Sequence, residues 1–135
     1  LIKMKNRKHI IGILFAGLVL VSCNGKQDVE VGQKTTMEVN LLYDAGNVIK
    51  GEVINAKFKV KNTGDYPLVF GEVRPSCSCT VPHKPEEPIQ PGETGEIVAQ
   101  VMTDQLITKN VTKSITLLTN TEPSTTVLVI KAVIK

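Results

Sequence analysis

Ile54, Ala56, Phe58 and Val60 alternate with Asn55, Lys57, Lys59 and Lys61. A period of two is that of a β-strand with one buried and one wet face, so the chain must supply a second apolar layer to cover it. The three lysines are read as the solvated face of that strand. Asn62-Thr63-Gly64-Asp65 follows, residues that tolerate positive φ, and predicts a reversal before Pro67 opens a further strand over Leu68 to Val73.

The rest of the chain repeats this grammar. A strand is expected over Thr35 to Leu42, and a turn over Tyr43-Asp44-Ala45-Gly46-Asn47 from its Gly, Asn and Asp. The segment from Val81 to Gly92 holds prolines at 82, 85, 88 and 91, a density that no helix survives. Pro91-Gly92 suits the two centre positions of a type II turn, and Thr94 to Met102 then reads as a strand with Ile97, Ala99 and Val101 on one face. Val111 to Thr119 and Thr125 to Ile134 form a hairpin in expectation, with Leu128 and Ile130 placed inward. About seven short strands without a convincing helical period after Cys23 predict an all-β, immunoglobulin-like sandwich of antiparallel strands.

A chain of 135 residues holds one domain of ordinary size. Its first residues belong to something else. Lys3, Lys5, Arg7 and Lys8 precede an unbroken apolar run from Ile10 to Val21, a secretory signal pattern. That run of 12 residues falls short of the roughly 20 that span a bilayer as a helix. Leu20-Val21-Ser22-Cys23 resembles the lipobox of bacterial lipoproteins, which implies cleavage before Cys23 and acylation of its sulfur and nitrogen. Acyl chains, at about 0.8 kcal/mol per buried CH₂, would hold the chain on a membrane without a spanning helix. The expected organisation is a signal peptide over 1–22, a polar tether over 23–34 and the sandwich over 35–135.

Loss of the signal would remove four of the 16 basic residues and none of the 13 acidic ones, leaving 12 against 13, a formal −1. Nucleic acid is thereby set aside as a partner, since no basic patch with interleaved aromatics remains. Absence of Trp and an aromatic content of 4% argue against a sugar platform. Nucleophile elbows, phosphate-cradling glycine loops and paired metal-binding histidines are missing from the sequence, so no enzyme activity, cofactor or small-molecule substrate is expected.

One constellation carries chemistry. Cys77 and Cys79 flank Ser78, and residues two apart in an extended segment point to one side, so their sulfurs could meet a soft metal with His83 as a further ligand. In an oxidising compartment the same pair could close a disulfide, or simply pack, or exchange thiols. These readings stay open on the sequence.

Gly51-Glu52, then Phe58-Lys59-Val60-Lys61-Asn62-Thr63-Gly64-Asp65, Pro67-Leu68, Ser76-Cys77-Ser78-Cys79-Thr80, Val81-Pro82 and Pro91-Gly92-Glu93 resemble an uncharacterised bacterial envelope domain family related to the Hydin-type immunoglobulin-like domains. The likeness runs from about Tyr43 to Lys135. It implies a seven-stranded sandwich, often exported or lipid-anchored, without established activity. Ala45 stands where the family usually has an aromatic and Ser78 where it usually has Gly, and the glycine expected shortly before Lys113 is absent. The expected function is a non-enzymatic cell-envelope lipoprotein, membrane-bound through Cys23, that displays its domain for protein interaction or assembly. The alternative is a Cu(I)- or thiol-handling lipoprotein working through Cys77 and Cys79.

Overall fold

The structure, a computed structural model, describes residues 32–135. The expected signal peptide, Cys23 and all but the last three residues of the expected tether lie outside the described residues. Among the described residues eight strands make two packed sheets: β1 (Met37–Val39), β2 (Leu42–Val48), β3 (Val53–Asn62), β4 (Phe70–Pro75), β5 (Thr80–His83), β6 (Thr94–Met102), β7 (Asn110–Thr119) and β8 (Thr125–Ile134). One sheet has the order β1-β3-β6-β5 and the other β2-β8-β7-β4. This is the immunoglobulin-like sandwich that the strand pattern predicts, with one strand more than the expected seven and with β2 paired in parallel to β8 in place of the expected antiparallel pairing.

Alternation in β3 holds along its whole length. Ile54, Ala56, Phe58, Val60 and Asn62 are buried, whereas Asn55, Lys57, Lys59 and Lys61 are exposed. Ile97, Ala99 and Val101 of β6 face them across the register Phe58↔Ile97, Ala56↔Ala99 and Ile54↔Val101, each fully buried. Ile115 and Leu117 of β7 and Leu128, Ile130, Ala132 and Ile134 of β8 supply the opposing layer. The even-numbered face of β8 is therefore the buried one, which its doubly apolar sequence leaves ambiguous beyond Leu128 and Ile130.

Four local expectations are corrected. The strand expected over Thr35 to Leu42 is cut to three residues, because the chain leaves the first sheet after Val39 and crosses to the second. Asn40 Oδ1 accepts the Leu42 amide at 3.2 Å at this crossing, a local side-chain turn that takes the place of a ladder bond. Tyr43 to Asn47 is then not a turn but the body of β2, paired in parallel with β8. The turn-forming residues serve a bulge instead: the register shifts between Asp44 and Asn47, Gly46 has φ +65°, and Asp44 Oδ1 accepts its amide at 2.8 Å. The reversal comes later, at Ile49 to Glu52, where Gly51 has φ +97° and the Glu52 amide donates to the Ile49 carbonyl at 3.1 Å.

Leu68 lies in an isolated bridge to Ile89, and the strand expected from it begins at Phe70. Within the proline-rich segment, Thr80 to His83 forms β5, an edge strand, which is where a sheet tolerates Pro82. The Pro91-Gly92 turn stands as predicted, with Gly92 at φ +80° and the Glu93 amide donating to the Gln90 carbonyl at 3.0 Å.

Gly64 is a fourth correction, of cause rather than place. It is not among the glycines with positive φ. A Cβ there would collide with Thr35 Oγ1 and come within 2.6 Å of the Thr36 amide nitrogen, so close approach of two backbones requires the glycine.

Candidate functional site

The sandwich has two poles. The described chain enters at one, where Asn120 Nδ2 donates to the Gln33 carbonyl at 3.0 Å and the Thr35 amide donates to the Asn120 carbonyl at 3.0 Å. Lys34 pairs with Glu122 beside them. Gln33 and Lys34, the end of the expected tether, are thus fastened to the domain. The connections after β2, β4 and β6 gather at the opposite pole, because β3 and β8 run from one end to the other.

Cys77 and Cys79 lie at that far pole, in the β4–β5 loop, joined by a disulfide with Cα atoms 5.3 Å apart. Both ends of the loop are pinned. Ser76 donates its amide to the Ser114 carbonyl at 2.8 Å, on β7, while the Met102 amide at the end of β6 donates to the Cys79 carbonyl at 2.9 Å. The loop therefore ties one sheet to the other. Cys79 is buried in the core and Cys77 is half-buried against it. The Thr80 hydroxyl lies 3.5 Å from Cys77 Sγ and 3.9 Å from Cys79 Sγ, donating to sulfurs that have no hydrogen of their own.

His83 is not brought to this pair as a ligand. Thr80 points inward at the start of β5, and three positions later the alternation turns His83 outward, exposed. Among the described residues no group of three His, Cys, Asp or Glu is placed to hold a metal ion. The sulfurs as joined offer no thiolate, so a soft metal would first require reduction of the bond.

A second feature had no warning in the sequence. An open-sided cleft of about 500 Å³ runs between β2 and the start of β3, lined by Tyr43, Ala45, Val48, Glu52, Val53 and Asn55 among others. Ala45, where the resemblance expects an aromatic side chain, forms part of its floor. The opposite flank is closed: Lys84 Nζ donates to the Phe70 and Gly71 carbonyls at 2.9 and 2.7 Å, clamping the loop after β5 onto β4. On β4 itself the Arg74 guanidinium bonds Glu72 and holds its carboxyl below the usual carboxylate range, but both are exposed and belong to no cluster.

The family profile of DUF1573, described as a protein of unknown function, matches residues 36–134. The chain belongs to this family. No curated protein sequence matches it. Among solved structures it is similar to a protein of unknown function from Porphyromonas gingivalis W83, with a TM-score of 0.68 and 20% identity over 76% of this chain. The chain spans 48% of that protein's length. It is also similar to the ASH / PapD-like domain 7 of human CEP192, with a TM-score of 0.56 and 10% identity over 76% of this chain and 87% of that one. The Vibrio cholerae VesB protease gives a TM-score of 0.57 at 10% identity, over 73% of this chain and 31% of the protease. At these identities the likeness concerns the fold alone.

Proposed function

We propose that this chain is a non-enzymatic cell-envelope lipoprotein, held to a membrane by acylated Cys23, that displays its immunoglobulin-like domain for contact with a protein partner. The observation that carries the reading is the placement of the poles. The chain is fastened through Gln33 and Thr35 at one end, while the β2–β3, β4–β5 and β6–β7 loops stand at the other. A lipid on Cys23, ten residues before Gln33, would leave those loops and the strand edges facing away from the bilayer. Cys23→Ala is expected to move the chain from the membrane to the soluble fraction with an unchanged urea midpoint. Sedimentation with membranes after a high-salt wash would defeat the lipoprotein reading.

A second reading, handling of Cu(I) or thiols through Cys77 and Cys79, is favoured by the half-exposed Cys77 at the far pole. The structural role predicts a different outcome. A cross-link that closes only three residues removes little chain entropy, about 1–2 kcal/mol of stability. The Cys77→Ser, Cys79→Ser double variant should lose about that much and keep its partner binding. Stoichiometric Cu(I) binding by the reduced wild type in competition with a chelator, lost in the double variant, would promote the second reading instead.

A further inference from the structure

β3 is paired unequally on its two sides. β6 accompanies it from Val53 to Lys61, whereas β1 reaches only Val60, Lys61 and Asn62 before the chain crosses to the other sheet. Among the described residues no strand pairs with Val53 to Lys59 on that side. The direction of each peptide group follows from the ladder. The Asn62 amide donates toward β6, to the Glu93 carbonyl at 2.9 Å, and the Thr63 amide donates the other way, to the Thr36 carbonyl at 2.9 Å. With no register shift in β3, the amides and carbonyls of Asn55, Lys57 and Lys59 must point to the unpaired edge.

The other edges of the two sheets are protected. β5 carries Pro82, β1 has three residues, β2 is bulged at Asp44 to Asn47, and the carbonyls of Phe70 and Gly71 on the irregular part of β4 are capped by Lys84. The free stretch of β3 is regular, and it borders the open cleft floored by half-buried Tyr43, Ala45 and Val48. Its outer face bears Lys57, Lys59 and Lys61. Lys57 is shared with Glu96 at 3.4 Å, while Lys59 and Lys61 make no ion pair among the described residues.

We propose that the β3 edge from Val53 to Lys59 takes an extended segment of a partner protein, with acidic residues at its outward positions and apolar residues at its inward ones. The segment would continue the line that β1 abandons at Val39. Main-chain bonds to Asn55, Lys57 and Lys59 supply affinity, and alternate side chains supply choice of partner. Positions opposite Lys57 and Lys59 lie beside the ammonium groups, and positions opposite Ile54, Ala56 and Phe58 turn toward the cleft. A second copy using the same edge would bring two lysine-bearing faces together, which disfavours self-pairing.

The inference rests on the protein-interaction reading and names its surface. The test uses the whole chain and two nine-residue peptides, one alternating valine with glutamate and the other valine with lysine. Amide exchange at Asn55, Lys57 and Lys59 should slow on adding the glutamate peptide, with Ala56 and Phe58, already bonded to β6, unchanged. The lysine peptide should bind roughly tenfold more weakly. Lys57→Pro removes a donor only from the free edge and should abolish the effect, and Lys57→Glu, Lys59→Glu should reverse the preference between peptides. Unchanged exchange at millimolar peptide, or equal binding of both peptides, would overturn the inference. So would protection of these amides without any peptide, whether it depends on concentration, as for a second copy, or not, as for the chain's own N-terminal segment. Partner capture that persists in Lys57→Pro would overturn the edge while sparing the interaction reading, and capture of no partner by the wild type would sink that reading itself.

Discussion

Phe58→Ala is expected to destabilise the domain by about 3–5 kcal/mol, the range for removing a buried aromatic ring and leaving a cavity. Phe58 is 2% exposed, opposite the fully buried Ile97 in the β3–β6 register. Its ring meets that of Tyr43 edge-on, with centroids 6.1 Å apart, so the loss also loosens β2 against the core. Set against a total stability of about 5–15 kcal/mol, the substitution removes roughly a fifth of the margin or more. Lys59→Ala, one position on, should change stability by no more than about 0.5 kcal/mol because its side chain faces water. Urea midpoints at unchanged slope read both values. Similar losses from the two substitutions would contradict the two-faced character of β3.

That contrast was legible in the sequence, because β3 and β6 each show their buried face as alternate apolar residues, whereas β8 is apolar on both faces and only the opposing layer decides which is buried. The ends of those strands follow from the same signal. β2 was hidden for a physical reason. Asp44, Gly46 and Asn47 are turn formers, but inside a strand that pairs in parallel at a sheet edge they build a bulge, and no neighbouring residue marks the difference. β5 was hidden by its prolines, which an edge strand accepts. The position of Cys77 and Cys79 in a loop after a strand could be read, but not that His83 turns away from them, since this depends on where β5 starts its alternation. The open edge of β3 left no trace of its own in β3. It exists because β1 stops at Val39, and the single local sign of that stop is Asn40 taking the Leu42 amide.

Asn62→Ala should be the other costly substitution, at about 2–4 kcal/mol, although it removes a polar residue from the end of a strand. Asn62 is fully buried. Its Nδ2 donates to the Tyr66 and Ile89 carbonyls at 2.7 and 2.8 Å, and its Oδ1 accepts from Thr35 Oγ1 at 2.8 Å and the Gly64 amide at 3.1 Å. One side chain thus satisfies the turn that follows β3, the strand-like stretch at Ile89 and the entry of the chain at Thr35. Ile89 keeps a partner after the substitution, because its carbonyl also accepts the Leu68 amide at 2.8 Å. The Tyr66 carbonyl, the Gly64 amide and the Thr35 hydroxyl lose theirs, at about 1–3 kcal/mol for each group that stays buried and less for those that water can reach. Main-chain bonds of Asn62 to Gly92 and Glu93 do not depend on its side chain and should persist. The loss should therefore appear with faster amide exchange at Gly64 and Thr35 and little change in Ile97 or Val101. Asn55→Ala, on the exposed face of the same strand, serves as the comparison. If Asn62→Ala unfolds at the same urea concentration as Asn55→Ala, the buried amide is not what fastens the entering chain to the turn after β3.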